Sequence, residues 1–126
     1  DVFGYAENTG CPDSNSVVVP FALQEAALYS MTYKVLDSVV AVLKENPSYK
    51  INIGGHAYKT EGINAFCEGL AAERSYMVKQ YLLSRQLNGS RIKSIRNYGA
   101  SRPLNPGKNP LQILANARAE ISFIYQ

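Results

Sequence analysis

Two segments of this chain repeat apolar residues at helical spacing, and short β-type runs stand before, between and after them. The first runs from about Ala26 to Asn46, with Met31, Val35, Val39 and Val42 on one stripe and Leu36, Val40 and Leu43 on its neighbour. Asn46-Pro47 ends it, because the residue before a proline is pushed out of helical geometry. The second runs from about Asn64 to Gln86, with Phe66, Leu70, Met77, Val78, Tyr81 and Leu82 predicted on its inner face and a closing turn at Leu87-Asn88-Gly89. Ser16 to Phe21 is a β-branched run that Pro20 places near an edge or bend, and Lys50 to Gly54 alternates with Ile51 and Ile53 pointing one way. Arg91 to Tyr98 predicts a third strand with Ile92, Ile95 and Tyr98 inward. Ala119 to Tyr125 predicts the last, with Ile121, Phe123 and Tyr125 alternating against Ser122 and Ile124. Between these two, residues 99–115 hold three prolines and two glycines and read as loop, with a helical turn at Leu111 to Ala115. The order β-α-β-α-β-β contains two strand–helix–strand units. Such units favour right-handed crossovers and a sheet with helices packed on it.

Size permits one such unit. At 126 residues the chain buries roughly two thirds of its unfolded surface, enough for one core. Residues 16–126 form the predicted domain, and residues 1–15 an N-terminal extension in which Val2 to Tyr5 is a short strand and Glu7 to Asn15 a loop dense in turn formers. No apolar run approaches the ~18 residues that span a bilayer, and no signal-like segment opens the chain. A mature form or an excised domain is expected. The net charge of +3 comes from basic residues scattered along the chain, with no dense stripe of the kind nucleic acid requires, so nucleic acid is not an expected partner. One histidine and two distant cysteines supply no metal-ligand spacing, and no cofactor motif is present. Cys11 and Cys67 are either one bridge, closing a loop worth roughly 3–4 kcal/mol, or two unrelated thiols.

One position breaks the hydrophobic logic of the second helix. Arg74 lies four residues after Leu70 and three before Met77, on the apolar stripe. A guanidinium there must find acceptors or carry a penalty of several kcal/mol. It either snorkels at the rim or pairs with Glu61, Glu68 or Glu73, or it serves a ligand carboxylate, for which its fork is the best-shaped partner. The loop before this helix, Gly54-Gly55-His56-Ala57-Tyr58-Lys59-Thr60-Glu61-Gly62, has neither P-loop nor dinucleotide spacing. His56 lacks a serine or cysteine partner at a recognisable spacing and reads as structural; Cys67 lacks a local base.

Taken in order, these segments resemble the OmpA C-terminal domain family, over about residues 16–125. The landmarks are Val42-Leu43-Lys44-Glu45-Asn46-Pro47, Ile51-Asn52-Ile53-Gly54-Gly55-His56, Gly62, Leu70-Ala71-Ala72-Glu73-Arg74-Ser75 in place of Leu-Ser-x-x-Arg-Ala, and Asn116-Ala117-Arg118-Ala119-Glu120-Ile121 in place of Asn-Arg-Arg-Val-Glu-Ile. The resemblance implies an α+β sandwich with a mixed sheet, and a pocket for the diaminopimelate peptide of peptidoglycan. There an aspartate of Gly-His-Thr-Asp takes the ammonium and the arginine, here Arg74, takes the carboxylate. It makes Tyr58, Thr60, Glu61, Arg74, Asn116 and Arg118 the candidate ligand-binding residues. The sequence departs from the family where Gly-His-Thr-Asp becomes Gly55-His56-Ala57-Tyr58, where one residue is inserted before Gly62, and where Ala22 stands in a first loop that usually carries an acid. Either Glu61 supplies the counter-charge for the ammonium, or Tyr58 offers it a cation–π face worth ~0.5–2 kcal/mol.

Three functions follow. The first is a non-covalent cell-wall anchor, periplasmic, gripping the peptidoglycan stem peptide and reaching the outer membrane only through a parent protein. It expects Arg74→Ala to weaken binding and leave the fold intact. The second is a degenerate structural or protein-interaction domain with envelope protein partners and no peptidoglycan binding. The third, an enzyme, would need an acid–base pair, a metal or an activated nucleophile, and none is visible in the sequence.

Overall fold

The computed structural model describes residues 16–125. Its elements are β1 (Ser16–Pro20), α1 (Ser30–Glu45), β2 (Lys50–Gly55), α2 (Asn64–Ser84), β3 (Ile92–Asn97), α3 (Pro110–Ala115) and β4 (Arg118–Ile124). Single 3-10 turns at Lys59–Glu61 and Gly89–Arg91 lead into α2 and β3. The expected strand and loop within residues 1–15, and Cys11 with them, lie outside the described residues.

The four strands form one mixed sheet in the order β1-β4-β2-β3. β4 runs antiparallel to both β1 and β2, while β2 and β3 are parallel. Both long helices pack on one face. Strand alternation sends Val17, Val19, Ile51, Ile53, Ala119, Ile121 and Phe123 to that face, where they meet Leu36, Val39, Val40 and Leu43 of α1 and Val78 and Leu82 of α2. The opposite parity is polar: Ser16, Asn52, Arg118, Glu120 and Ser122 lie on the face that no long helix covers.

The helices begin and face slightly differently from the sequence prediction. α1 starts at Ser30, about four residues late, because residues 21–29 are drawn into a strap. The Thr32 hydroxyl donates to the Pro20 carbonyl at 2.8 Å, fixing where the strap gives way to helix. On α2 the buried stripe is Cys67, Leu70, Ala71, Arg74, Ser75, Val78 and Leu82, and Phe66 is 46% exposed instead of facing inward. Small residues face the sheet here because the helix sits unusually close to β2. A Cβ built on Gly55 would overlap the Ala71 carbonyl oxygen.

β3 carries a bulge that rescues half of its expected pattern. Its pairing with β2 steps from Ile51↔Ile92 to Asn52↔Ser94, so Lys93 is the extra residue. Ile92 and Ile95, three apart, therefore pair with the core residues Ile51 and Ile53, but only Ile92 is partly covered, while Ile95 at the sheet edge stays 41% exposed. Past the bulge the parity puts Tyr98 on the polar face, not inward: its ring stacks on His56 with centroids 4.9 Å apart. A Cβ on Gly54 would lie 2.9 Å from that ring, so glycine there leaves the space in which it rests.

Two glycines should thus respond in opposite directions to the same change. Gly55→Ala is expected to cost about 3 kcal/mol, the upper end for overpacking, since backbone must move. Gly69→Ala, in α2 with nothing within 4 Å of the new methyl, should gain about 1 kcal/mol in helix propensity. Urea unfolding midpoints of the two variants test the pair.

Candidate functional site

Arg74 is fully buried, and every N–H of its guanidinium is used inside the chain. Nε donates to the Glu25 carbonyl at 3.0 Å. Nη1 donates to the His56 carbonyl at 2.9 Å and to Glu61 Oε1 at 3.1 Å, and Nη2 to the Ala22 carbonyl at 3.1 Å and to Glu61 Oε2 at 2.6 Å. Five donors thus meet acceptors from three separate segments: the strap, the end of β2 and the 3-10 turn. The Phe21 ring lies 5.5 Å from the guanidinium carbon and closes one side.

Glu61 is equally saturated. Besides Arg74 it accepts from the backbone N–H of Tyr58 on Oε1 and of Gln24 on Oε2, both at 2.7 Å, which uses the four lone-pair positions of a carboxylate. Burial alone would raise its pKa. The hydrogen bonds from Arg74, Gln24 and Tyr58, together with the Arg74 charge, outweigh burial and hold the carboxyl below its ordinary range. Of the three carboxylates that sequence offered to Arg74, Glu61 provides the partner.

The other candidate residues fall in different places. Tyr58 is buried, its hydroxyl donating to the Pro106 carbonyl at 3.1 Å and its ring tip lying against Gly107. It therefore fastens the 99–109 loop and presents no open face to a cation. Gly107 has φ +67, and a Cβ there would overlap the Tyr58 hydroxyl, so both backbone and space require glycine. Thr60 is exposed on the 3-10 turn. Asn116 is buried; its Oδ1 accepts from the N–H of Leu104 and Asn105, and its Nδ2 donates to Asn105 Oδ1 and the Gln112 carbonyl, which clamps the same loop from the other end. Arg118 is buried on the polar sheet face, with Nε donating to Glu120 Oε2 at 2.6 Å and Nη2 to the Arg102 carbonyl at 3.0 Å. Glu61 and Arg74 are brought together; Tyr58 joins them through its backbone only, and Asn116 and Arg118 stand apart.

Cys67 is a free thiol buried under the 3-10 turn, its Sγ donating to the Tyr58 carbonyl at 3.4 Å. Burial and the Glu61 charge push its pKa up, which opposes a thiolate nucleophile. His56 is lowered to about 3 by burial and by the Arg118 and Arg102 charges, far below the pKa a general base needs near neutrality. Among the described residues no group of three or more His, Cys, Asp or Glu could hold a metal.

Sequence reasoning missed a second polar concavity, on the helix-free sheet face. His56, Tyr98, Arg96 and Arg102 gather there beside the Arg118–Glu120 pair. The signal lay in strand parity, since Asn52 and Gly54 of β2, with His56 just past its end, and Arg118, Glu120 and Ser122 of β4 occupy the positions opposite to the core.

A four-stranded β1-β4-β2-β3 sheet with two crossover helices on one face defines an OmpA C-terminal-type fold. The C-terminal domain of Helicobacter pylori MotB superimposes with a TM-score of 0.77 at 21% identity, covering 87% of this chain and 85% of that one. The peptidoglycan-associated lipoprotein from Burkholderia pseudomallei gives 0.76 at 18% identity, covering 98% and 100%. The OmpA family model matches residues 20–117, and the chain belongs to the OmpA family. Among curated proteins, the peptidoglycan-binding protein ArfA of Mycobacterium tuberculosis is 29% identical over 120 residues, covering 88% of this chain and 36% of that protein. The chain therefore spans about a third of that relative's length.

The buried pair sets two expectations. Arg74→Ala leaves Glu61 charged, buried and unpaired, and should cost about 3–5 kcal/mol, so the variant expected from sequence to leave the fold intact should not do so. Replacing both residues by apolar ones should not restore full stability, because the Ala22, Glu25 and His56 carbonyls and two backbone N–H groups lose their partners. Chemical denaturation of single and double variants measures both. The pH dependence follows from two depressed pKa values. His56 binds a proton in the unfolded chain below its ordinary 6.5 but in the folded chain only near 3, so stability should fall as pH drops through that window. Glu61 adds a second loss below its ordinary 4.5, as pH falls toward its depressed folded value. Denaturation at stepped pH should show both, with the acid-most loss reduced in Glu61→Gln.

Proposed function

We propose that this domain binds peptidoglycan non-covalently and anchors a cell-envelope protein to the wall. The observation carrying this reading is the position of Arg74. It stands where the family resemblance expects the arginine that takes a stem-peptide carboxylate, and three loop segments converge on it. In the closed arrangement Glu61 fills that role from within the chain. Binding then works by exchange: a diaminopimelate carboxylate replaces Glu61 on Arg74, and Glu61 turns outward, where it faces the ligand's ammonium. One carboxylate leaves as another arrives, so the guanidinium is never left unpaired.

The strap is suited to such an opening. Leu23, Gln24 and Glu25 are exposed, and Gln24 has φ 62, a left-handed conformation that costs a non-glycine residue about 1–2 kcal/mol. Its backbone N–H bonds to the Glu61 carboxylate and its side-chain amide to the Glu61 carbonyl, so release of the carboxylate removes one tie on the strained residue while Arg74 keeps its bonds to the Ala22 and Glu25 carbonyls. The reading is of a binding module and not of an enzyme: the lowered His56 and the raised Cys67 are poor catalysts. Among the described residues no helix is long and apolar enough to cross a membrane. Attachment to the outer membrane belongs, in this proposal, to the parent protein, and the stem peptide is the contact within the wall.

Co-sedimentation of the purified domain with isolated sacculi tests this, with a peptidoglycan-associated lipoprotein as positive control. The expected result is retention that soluble diaminopimelate stem peptide competes away and its carboxamide form does not. Retention competed equally by both forms would reject carboxylate exchange. No retention beside a positive control would return the domain to the structural, protein-interaction reading.

A further inference from the structure

The helix-free face of the sheet carries a concavity of about 470 Å³, on the other side of β2 from Arg74. Its basic residues are unevenly compensated. Arg118 is neutralised by Glu120 at 2.6 Å, whereas Arg96 and Arg102 have no carboxylate partner among the described residues. Among the described residues, two guanidinium charges are thus in excess around this cavity.

The cavity wall is a built stack. The Arg102 guanidinium carbon lies 4.2 Å from the Tyr98 ring centroid, and the other face of Tyr98 rests on His56, nearly parallel at 18°. Cation–π contact over Tyr98 restrains the otherwise flexible Arg102 side chain. Its backbone is tied as well, since the Arg102 carbonyl accepts from Arg118 Nη2. At the base of the stack His56 is 3% exposed, and its Nδ1 is buried without a hydrogen-bond partner among the described residues. A buried polar atom left unpaired in a native site calls for an explanation, and so does a histidine kept beside two arginines. His56 lines the same cavity as the two arginines, so an anion held there would offset the charge gathered beside it.

We propose that this cavity is a second ligand site, independent of Arg74, which takes a compact dianion of the phosphate-monoester class. The charge count selects the class. Two uncompensated guanidiniums match a monoester, which carries close to two negative charges near neutral pH, better than a diester carrying one. Arg96 and Arg102 supply forked donors, and Tyr98 holds Arg102 in place. His56, the chain's one histidine, acts as the cavity's own reporter.

The test uses the full chain and nuclear magnetic resonance of the His56 imidazole, titrated at fixed pH and ionic strength with inorganic phosphate, glycerol phosphate and dimethyl phosphate. Saturable shifts of His56 are expected with the first two and not with dimethyl phosphate. Arg96→Gln combined with Arg102→Gln should weaken the phosphate response about tenfold or more, with a cooperative unfolding transition showing that the variant, whose two altered side chains are exposed, is still folded. No saturable shift, an undiminished response in the double variant, or an equal response to the diester would each overturn the proposal. Sacculus retention by the same double variant separates this site from the Arg74 reading: it should be unchanged.

Discussion

The loops of this domain are organised around one guanidinium. Arg74 is removed from water, and its charge is tolerable only because five acceptors arrive from parts of the chain that are distant in sequence. The strap after β1, the end of β2 and the 3-10 turn would otherwise have little reason to meet. Only two backbone amides and one carboxylate complete the set on the acidic side. The close approach of α2 to Gly55 serves the same arrangement, since it sets Arg74 one turn beyond Ala71 and directly over the His56 carbonyl. Geometry of this kind is all-or-none. A partial set of acceptors leaves a buried charge unpaired, at a cost comparable with much of a domain's net stability.

The helices, the strands and the anomaly of Arg74 were legible in the sequence because periodicity and polarity are written in side chains. The apolar stripe Leu36, Val40, Leu43 and the alternation of Ile121 and Phe123 are core in the structure as read. What escaped was written in backbone. Three of the acceptors of Arg74 are carbonyls, which every residue has and no sequence marks. The start of α1 was misplaced because Ala26-Ala27-Leu28 favour helix locally while the strap is held by tertiary bonds. Tyr98 was assigned to the wrong face because the bulge at Lys93 changes parity without any glycine or proline to announce it.

The two concavities differ in what maintains them. Around Arg74 the polar groups answer one another, so the ground state is closed and a ligand must compete with an internal carboxylate. On the opposite face the cations outnumber the anions among the described residues, so nothing internal needs to be displaced. His56 connects the two through one residue: its carbonyl serves Arg74 on the helical side, and its ring supports Tyr98 on the other. The Gly-Gly-His sequence at the end of β2 thus packs a helix against one glycine, an aromatic ring against the next-door glycine, and a residue shared by both faces immediately after.

The strand order has a further consequence, for how the chain acquires its structure. β4 follows every other described strand in sequence, yet it lies inside the sheet, and among the described residues it is the sole strand partner of β1. The hydroxyls of Ser16 and Ser122 that meet across that pair are 106 residues apart. Until β4 arrives, β1 has no ladder to join among the described strands, and the apolar faces of both long helices have only half a sheet to cover. Assembly of the sheet therefore waits on β4, and closing so long a loop makes it a slow folder for its size. Throughout that interval the β-branched run at Val17–Val19 stays available to chaperones and to other chains alike.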